Sequence, residues 1–355
     1  MMNRMREYLQ RHRSLDIVLR LTAIAIVLPL VAATPIFGAF QPFNGWLTGF
    51  ANAAIFVMLA IGLNIVVGKA GLLDLGFAAF FAIGAYTYAF GASAYSGNDI
   101  PFWLMLPIGA IVTAIFGVAI GAPTLRLRGD YLAIVTLGFG EIIPNVLLNS
   151  DKYTLGTNGI SGLNRPELPI IGVFKSNEPW PWFILAVVLI GIIMIAADRI
   201  SFSRIGRAWE AIREDELAAA SNGINTVTFK LLAFAIGAST AGIAGAFLAS
   251  KLSFVSPDQF KFSVSVTVLS MLVLGGIGNL WGAAIGAFLL YFVQSILLKQ
   301  LNEGFKGVPV LGEIDFLQLQ YLLFGLALVI MMLRRPGGLF PERRAARHRP
   351  GESKQ

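Results

Sequence analysis
Cysteine is absent from this 355-residue chain, which excludes a disulfide framework, a thiol nucleophile and a thiolate metal site. Histidine is nearly absent: the two, His12 and His348, lie in polar terminal segments, so the body of the chain has no imidazole for a metal or a proton relay. Charge is scarce as well. Only 13% of residues are charged against 56% hydrophobic, and mean hydropathy is +0.72; that balance excludes an ordinary soluble domain and marks a membrane protein. No G-x-x-x-x-G-K-[ST] occurs, because Gly68-Lys69 lacks the upstream spacing and is followed by Ala70, so the chain carries no ATPase motif of its own. H-E-x-x-H, G-x-S-x-G and a voltage-sensor run of spaced arginines are also missing, which leaves no visible machinery for catalysis. Neither a catalytic residue, a metal site nor a bound cofactor is expected.

What the chain has in abundance is apolar runs near the roughly 20 residues that span a bilayer. They fall at 15–37, 46–67, 72–94, 102–123, 131–149, 181–198, 229–251, 263–281, 282–300 and 317–334, which predicts an all-α polytopic membrane protein of about ten transmembrane helices. A signal peptide ending near Val31-Ala32-Ala33 competes for the first run. Its apolar stretch exceeds the usual h-region of about 7–15 residues, so a retained span is expected. Ten spans put both termini on one side. That side and its loops hold 19 Lys and Arg against 7 on the other, with Arg20 inside the first span, and the positive-inside rule makes it cytoplasmic. The same bias explains the net charge of +7 without a nucleic-acid partner. The expected division is a basic tail at 1–14, one transmembrane domain at 15–334 and a second basic tail at 335–355.

One stretch breaks the apolar pattern. Between Arg199 and Glu216, eight of eighteen residues carry charge, so the connection at 199–228 cannot lie in hydrocarbon. Its helix signals are strong for a connector. Ile205, Ala208, Trp209 and Ile212 share one face at helical spacing, while Arg207, Glu210 and Arg213 repeat every three residues and can pair. Continued further, that apolar face would include Glu216, so a break is expected near Asp215. Asp215 reads as the N-cap of a second helix with Glu216 in its first turn, Ala218 to Ala220 as strong formers, and Asn222-Gly223 as a left-handed stop. A topological stop needs only a few basic residues; a short, capped, water-facing helix has the shape of a lever gripped by another protein. Small Ala218 to Ala220, Ala219 among them, are expected to let it seat in a groove.

Glycine, 38 residues, concentrates in the spans, with Gly62, Gly68, Gly71, Gly76 and Gly84 in one region and Gly275, Gly276, Gly278, Gly282 and Gly286 in another. Small residues permit close helix packing. The run Gly275-Gly276-Ile277-Gly278-Asn279 does more, since it predicts a bent or broken helix surrounded by protein or water, and the recurrence in both halves hints at an internal repeat. Polar residues in or near the spans include Asn64, Asp74, Asp130, Thr136, Glu141, Ser265 and Ser270. Glu141 is the most costly, because a carboxylate in the membrane needs a partner, a proton or water. Asn64, Thr136, Glu141 and Ser270, with Gly275 and Gly276, are the expected lining of a translocation path, and Thr136, Glu141 and Ser270 are expected to face one interior. Asp74 and Asp130 lie near inner ends, where a helix-terminus or loop role is expected. The outer segment 150–180 reads as ordered turns rather than a domain.

Several blocks together resemble the permease subunits of bacterial branched-chain amino acid ABC importers, and among them the larger, M-type subunit: LNIVVGKAGLLDLGFAAFFAIGAYTYA (63–89), LRLRGDYLAIVTLGFGEI (125–142), GRAWEAIREDELAAASNGI (206–224), GGIGNLWGAAIGA (275–287) and RRPGGLF (334–340). The resemblance implies a type II importer fold with broken or re-entrant helices in the bacterial inner membrane. It also implies a second homologous permease, two ATP-binding subunits that hold ATP-Mg, an external solute-binding protein and an amino-acid substrate. Residues 206–224 would then hold the coupling helix, with Arg207, Glu210, Arg213, Glu214, Asp215, Glu216, Ala219 and Gly223 toward the ATPase. Urea and short-chain amide permeases share much of the pattern. A self-contained secondary transporter would instead need an embedded carboxylate pair or relay, for which Glu141 is the lone candidate.

Overall fold
The computed structural model describes residues 13–34, 42–124, 130–169, 172–298, 319–335 and 337–341. Apolar helices stand at all ten expected spans: α1 (Arg13–Ala32), α2 (Phe43–Leu63), α3 (Phe77–Gly91), α4 (Phe102–Thr124), α5 (Asp130–Asn149) and α6 (Pro179–Ser201) precede the charged connection, which folds as α7 (Arg204–Glu214) and α8 (Glu216–Ser221). Then come α9 (Thr226–Leu252), α10 (Phe262–Gly275), α11 (Leu280–Phe292) and α12 (Leu319–Arg334). By length and composition six helical stretches among the described residues suffice to cross a membrane: Ser14–Ala32, Phe43–Lys69, Phe102–Thr124, Tyr131–Asn149, Pro179–Ser201 and Thr226–Leu252. The chain is a multi-pass membrane protein.

Two expected spans are shorter than the sequence suggests. α3 and α10 hold 15 and 14 residues, about 22 Å each at 1.5 Å per residue, against a hydrocarbon core of about 30 Å, whereas α11 runs on past Phe292 as a π-helical turn, Val293–Leu297. The run 72–94 loses its first turn because residues 70–76 leave the helix at Gly71, where φ is +72°. The α3 amides that a helix leaves unbonded find partners outside it: Asp74 Oδ1 accepts from Gly76 N at 2.8 Å and Ser265 Oγ from Ala78 N at 2.9 Å. Asp74 thus takes the helix-terminus role its position suggests. The division expected between 281 and 282 falls instead at 276–279, where Gly276 and Gly278 take φ of +124° and +88°, values open to glycine alone without strain. α10 and α11 therefore make a hairpin broken at its tip.

α9 sits at the centre, packed against α4, α3 and α2. Close approach is bought with small residues: a Cβ on Gly84 would overlap the Gly242 backbone. α1 lies against α6 through buried Ile17 and Leu21. At the end of the bundle away from α7 and α8, residues 150–169 and 172–180 form short turns and two-residue strands. One pair, Ile160–Ser161 with Phe254–Val255, ties that segment antiparallel to the exit of α9, and Tyr88 Oη donates to Asn164 O at 2.6 Å. The first residues of the expected C-terminal tail are docked rather than free: Leu339 N and Phe340 N donate to Leu274 O and Gly275 O at 2.9 and 3.0 Å. The basic residues at 1–12 and 342–355 lie outside the described residues.

Candidate functional site
The loop helices form as their local chemistry dictates. Ser203 caps α7 by accepting from Ile205 N at 3.1 Å. Asp215, in extended backbone, interrupts the helix and caps the next, its Oδ1 accepting from Leu217 N and Ala218 N at 2.9 and 3.0 Å. Gly223, at φ +84°, ends the segment, and Asn222 Nδ2 donates back to Ala218 O at 2.7 Å. The apolar face of α7 is buried at Ala208, Trp209 and Ile212, and the Trp209 indole donates to Phe229 O at 2.7 Å. Glu216 pairs with buried Lys230 at 2.6 Å. The loop is thereby fastened to the first turn of α9.

The residues expected on the loop divide into two groups. Arg207, Glu210, Glu214, Asp215 and Gly223 face outward and are exposed. Arg213 donates to the Gly68 carbonyl at the end of α2. Ala219 is turned inward at 3% exposure, so it seats α8 on its own chain rather than presenting a small surface to a groove. The exposed positions of α8 are Leu217, Ala218, Ala220 and Ser221, with Leu217 65% exposed. The sequence reading missed Leu217, although an apolar residue just after the Asp215 cap, off the Trp209 face, was the available signal.

Among the expected path residues, Asn64 and the Gly275–Gly278 turn meet: Asn64 Oδ1 accepts from Gly278 N at 2.8 Å. Thr136 is buried against the 70–76 connection, its Oγ1 accepting from Leu75 N at 3.1 Å. Ser270 is buried too and donates within α10 to Val266 O at 2.8 Å. Glu141 is exposed. Thr136 and Ser270 are thus enclosed within this chain, whereas Glu141 lies on its surface. Five residues separate Thr136 from Glu141, a rotation of about 140° at 3.6 residues per turn, so the face of α5 that packs Thr136 turns Glu141 to the outside. There it heads a polar stripe with Asn145 and Asn149, which with Ile142 and Val146 lines a shallow groove of about 290 Å³. The two asparagines donate to Glu141 O and Asn145 O, both at 2.8 Å. Spacing by four was the signal available for that stripe, of which the sequence reading singled out Glu141 alone. Among the described residues no group of three or more His, Asp or Glu is placed to hold a metal ion.

A multi-pass helical bundle with a broken glycine hairpin, an outward polar stripe and an anchored pair of loop helices is the architecture of a membrane permease. Residues 45–332 match the family described as branched-chain amino acid transport system / permease component, and the chain belongs to that family. It is 39% identical over 307 residues to the high-affinity branched-chain amino acid transport system permease protein LivM of Salmonella typhimurium, covering 81% of this chain and 68% of that protein. The same figures hold for LivM of Escherichia coli K12. LivH of Salmonella typhimurium, another permease protein of that system, is 27% identical over 285 residues, with 76% and 88% covered.

Proposed function
We propose that this chain is a membrane permease subunit of an ATP-driven importer of branched-chain amino acids, working in the bacterial cytoplasmic membrane with both termini inside. A second, homologous permease stands beside it, two ATP-binding subunits drive it, and an external solute-binding protein delivers the amino acid. The loop helices carry this reading: α7 is fastened to α9 through Trp209 and α8 through the pair Glu216–Lys230, while Arg207, Glu210, Glu214, Asp215 and Leu217 are left outward. That is the form of a surface which takes force from a partner and delivers it to spans. Similarity to both LivM and LivH supports a second permease. The Glu141 stripe supports a place for it, since an intramembrane carboxylate facing outward needs protein or water against it. ATP-Mg is held by the partners.

The test is uptake into proteoliposomes. The chain reconstituted with its second permease, ATP-binding subunits and binding protein should accumulate leucine, isoleucine or valine only with ATP. Uptake by the chain alone under an ion gradient would overturn the reading in favour of a secondary transporter.

A further inference from the structure
Residues Asn64–Lys69 continue α2 as a π-helical turn, a rare coil that recurs at functional positions within helices. Its two ends hold different parts of the molecule. At one end Arg213 of α7 donates to the Gly68 carbonyl, and its stem lies so close to Gly71 that a Cβ there would sit 2.9 Å from Arg213 Cγ. At the other end the fully buried Asn64 accepts from Gly278 N at the tip of the broken hairpin. Gly68 joins the two, because a side chain there would strike the Asn64 carboxamide and come within 2.7 Å of Gly278 N. The hairpin tip is gripped in turn by the residues after α12, through Phe340 N to Gly275 O and Asn279 Nδ2 to Phe340 O at 3.0 and 3.1 Å.

We propose that this π-helical turn is the element through which the loop helices act on the glycine hairpin, with Arg213 and Asn64 as its positioning residues. Hydrogen bonds are directional and apolar burial is not, so a shift of α7 reaches the hairpin with its direction kept. The Asn64 amide nitrogen is buried with no hydrogen-bond partner among the described residues. Such a group destabilises the arrangement that contains it, and a second arrangement of the hairpin that satisfies it would be favoured in exchange, which is what a two-state element requires. The inference rests on the transport reading above.

The test measures solute taken up per ATP hydrolysed in the complete reconstituted assembly, for Arg213→Ala, Asn64→Ala and the double variant. Each single variant should lower that ratio about five-fold or more, and the double variant no further than the worse single one, since both cut the same connection. Ser265→Ala, which removes a buried side-chain acceptor on α10 away from this connection, should lower thermal stability with the ratio unchanged. If Asn64→Ala does not assemble, Asn64→Ser, too short to reach Gly278, takes its place. A wild-type ratio for the Asn64 variant, or a double variant whose loss is the product of the two single losses, overturns the inference. An unsubstituted assembly that takes up nothing with ATP overturns the transport reading instead, and that result precedes any substitution.

Discussion
At the scale of residues, burial separates those that hold the loop in place from those free to meet a partner. Trp209 is fully buried and bonded to Phe229 O; Trp209→Ala should cost about 3–5 kcal/mol of stability, read as a large fall in the melting temperature of the purified assembly together with lost uptake. Leu217 touches little of its own chain, so Leu217→Ala should change stability by no more than about 0.5 kcal/mol. If Leu217 seats in a partner, ATP-driven uptake should nevertheless fall about ten-fold, the weight of an interface anchor. Undiminished uptake would leave Leu217 a bystander. Glu141 is a carboxylate within a span, where its charge needs a partner, a proton or water. Glu141→Gln keeps its size and its place beside Asn145 and removes the charge, so assembly should persist and uptake should fall; equal uptake would mean that the charge serves neither the path nor the contact with a second permease.

At the scale of elements, α8 is a two-turn piece whose ends are fixed by Asp215 and Gly223. Nothing lies within 4 Å of a Cβ added to Gly223, so Gly223→Val carries only the backbone strain of a positive φ, about 1–3 kcal/mol. Ala219→Leu carries overpacking against α9 of a similar size, about 1–3 kcal/mol. Neither disturbs the packing of the spans on one another, so both variants should assemble, hydrolyse ATP and fail to couple it to uptake; a coupled Gly223→Val assembly would reduce this loop to a connector. These helices were legible in the sequence because caps and stops are set by residues two or three positions apart, as at Asp215 and Leu217. The same holds for the break at Gly275–Asn279. The late start of α3 was not legible, since its first turn depends on Ser265, distant in sequence. Nor was the bond from Arg213 to Gly68, or the direction of Glu141, because tertiary packing alone decides which face of a helix meets a neighbour.

At the scale of the whole molecule, the short hairpin leaves the topology intact. α10 and α11 either both cross or both turn back, and each case adds an even number, so the sides of the termini do not depend on how deep the tip lies. The two glycine regions that the sequence separates by about two hundred residues meet at Asn64 and Gly278, at the end of the bundle that also carries α7, α8 and residues 337–341. The strand pair Ile160–Ser161 with Phe254–Val255 marks the opposite end. The absence of cysteine makes this division testable without background. A single cysteine at Asp258, exposed beside that pair, should react with a membrane-impermeant maleimide added to intact cells stripped of their outer membrane. Cysteines at Leu217 and at Gly337, which is likewise exposed, should react only after the cytoplasmic membrane is opened. The excess of 19 basic residues over 7 is the ground for expecting this orientation under the positive-inside rule. Labelling of Leu217→Cys from outside would invert the molecule and remove the loop from the reach of any ATPase, whereas labelling of Leu217→Cys and Gly337→Cys from opposite sides would mean that the stretch between them crosses an odd number of times.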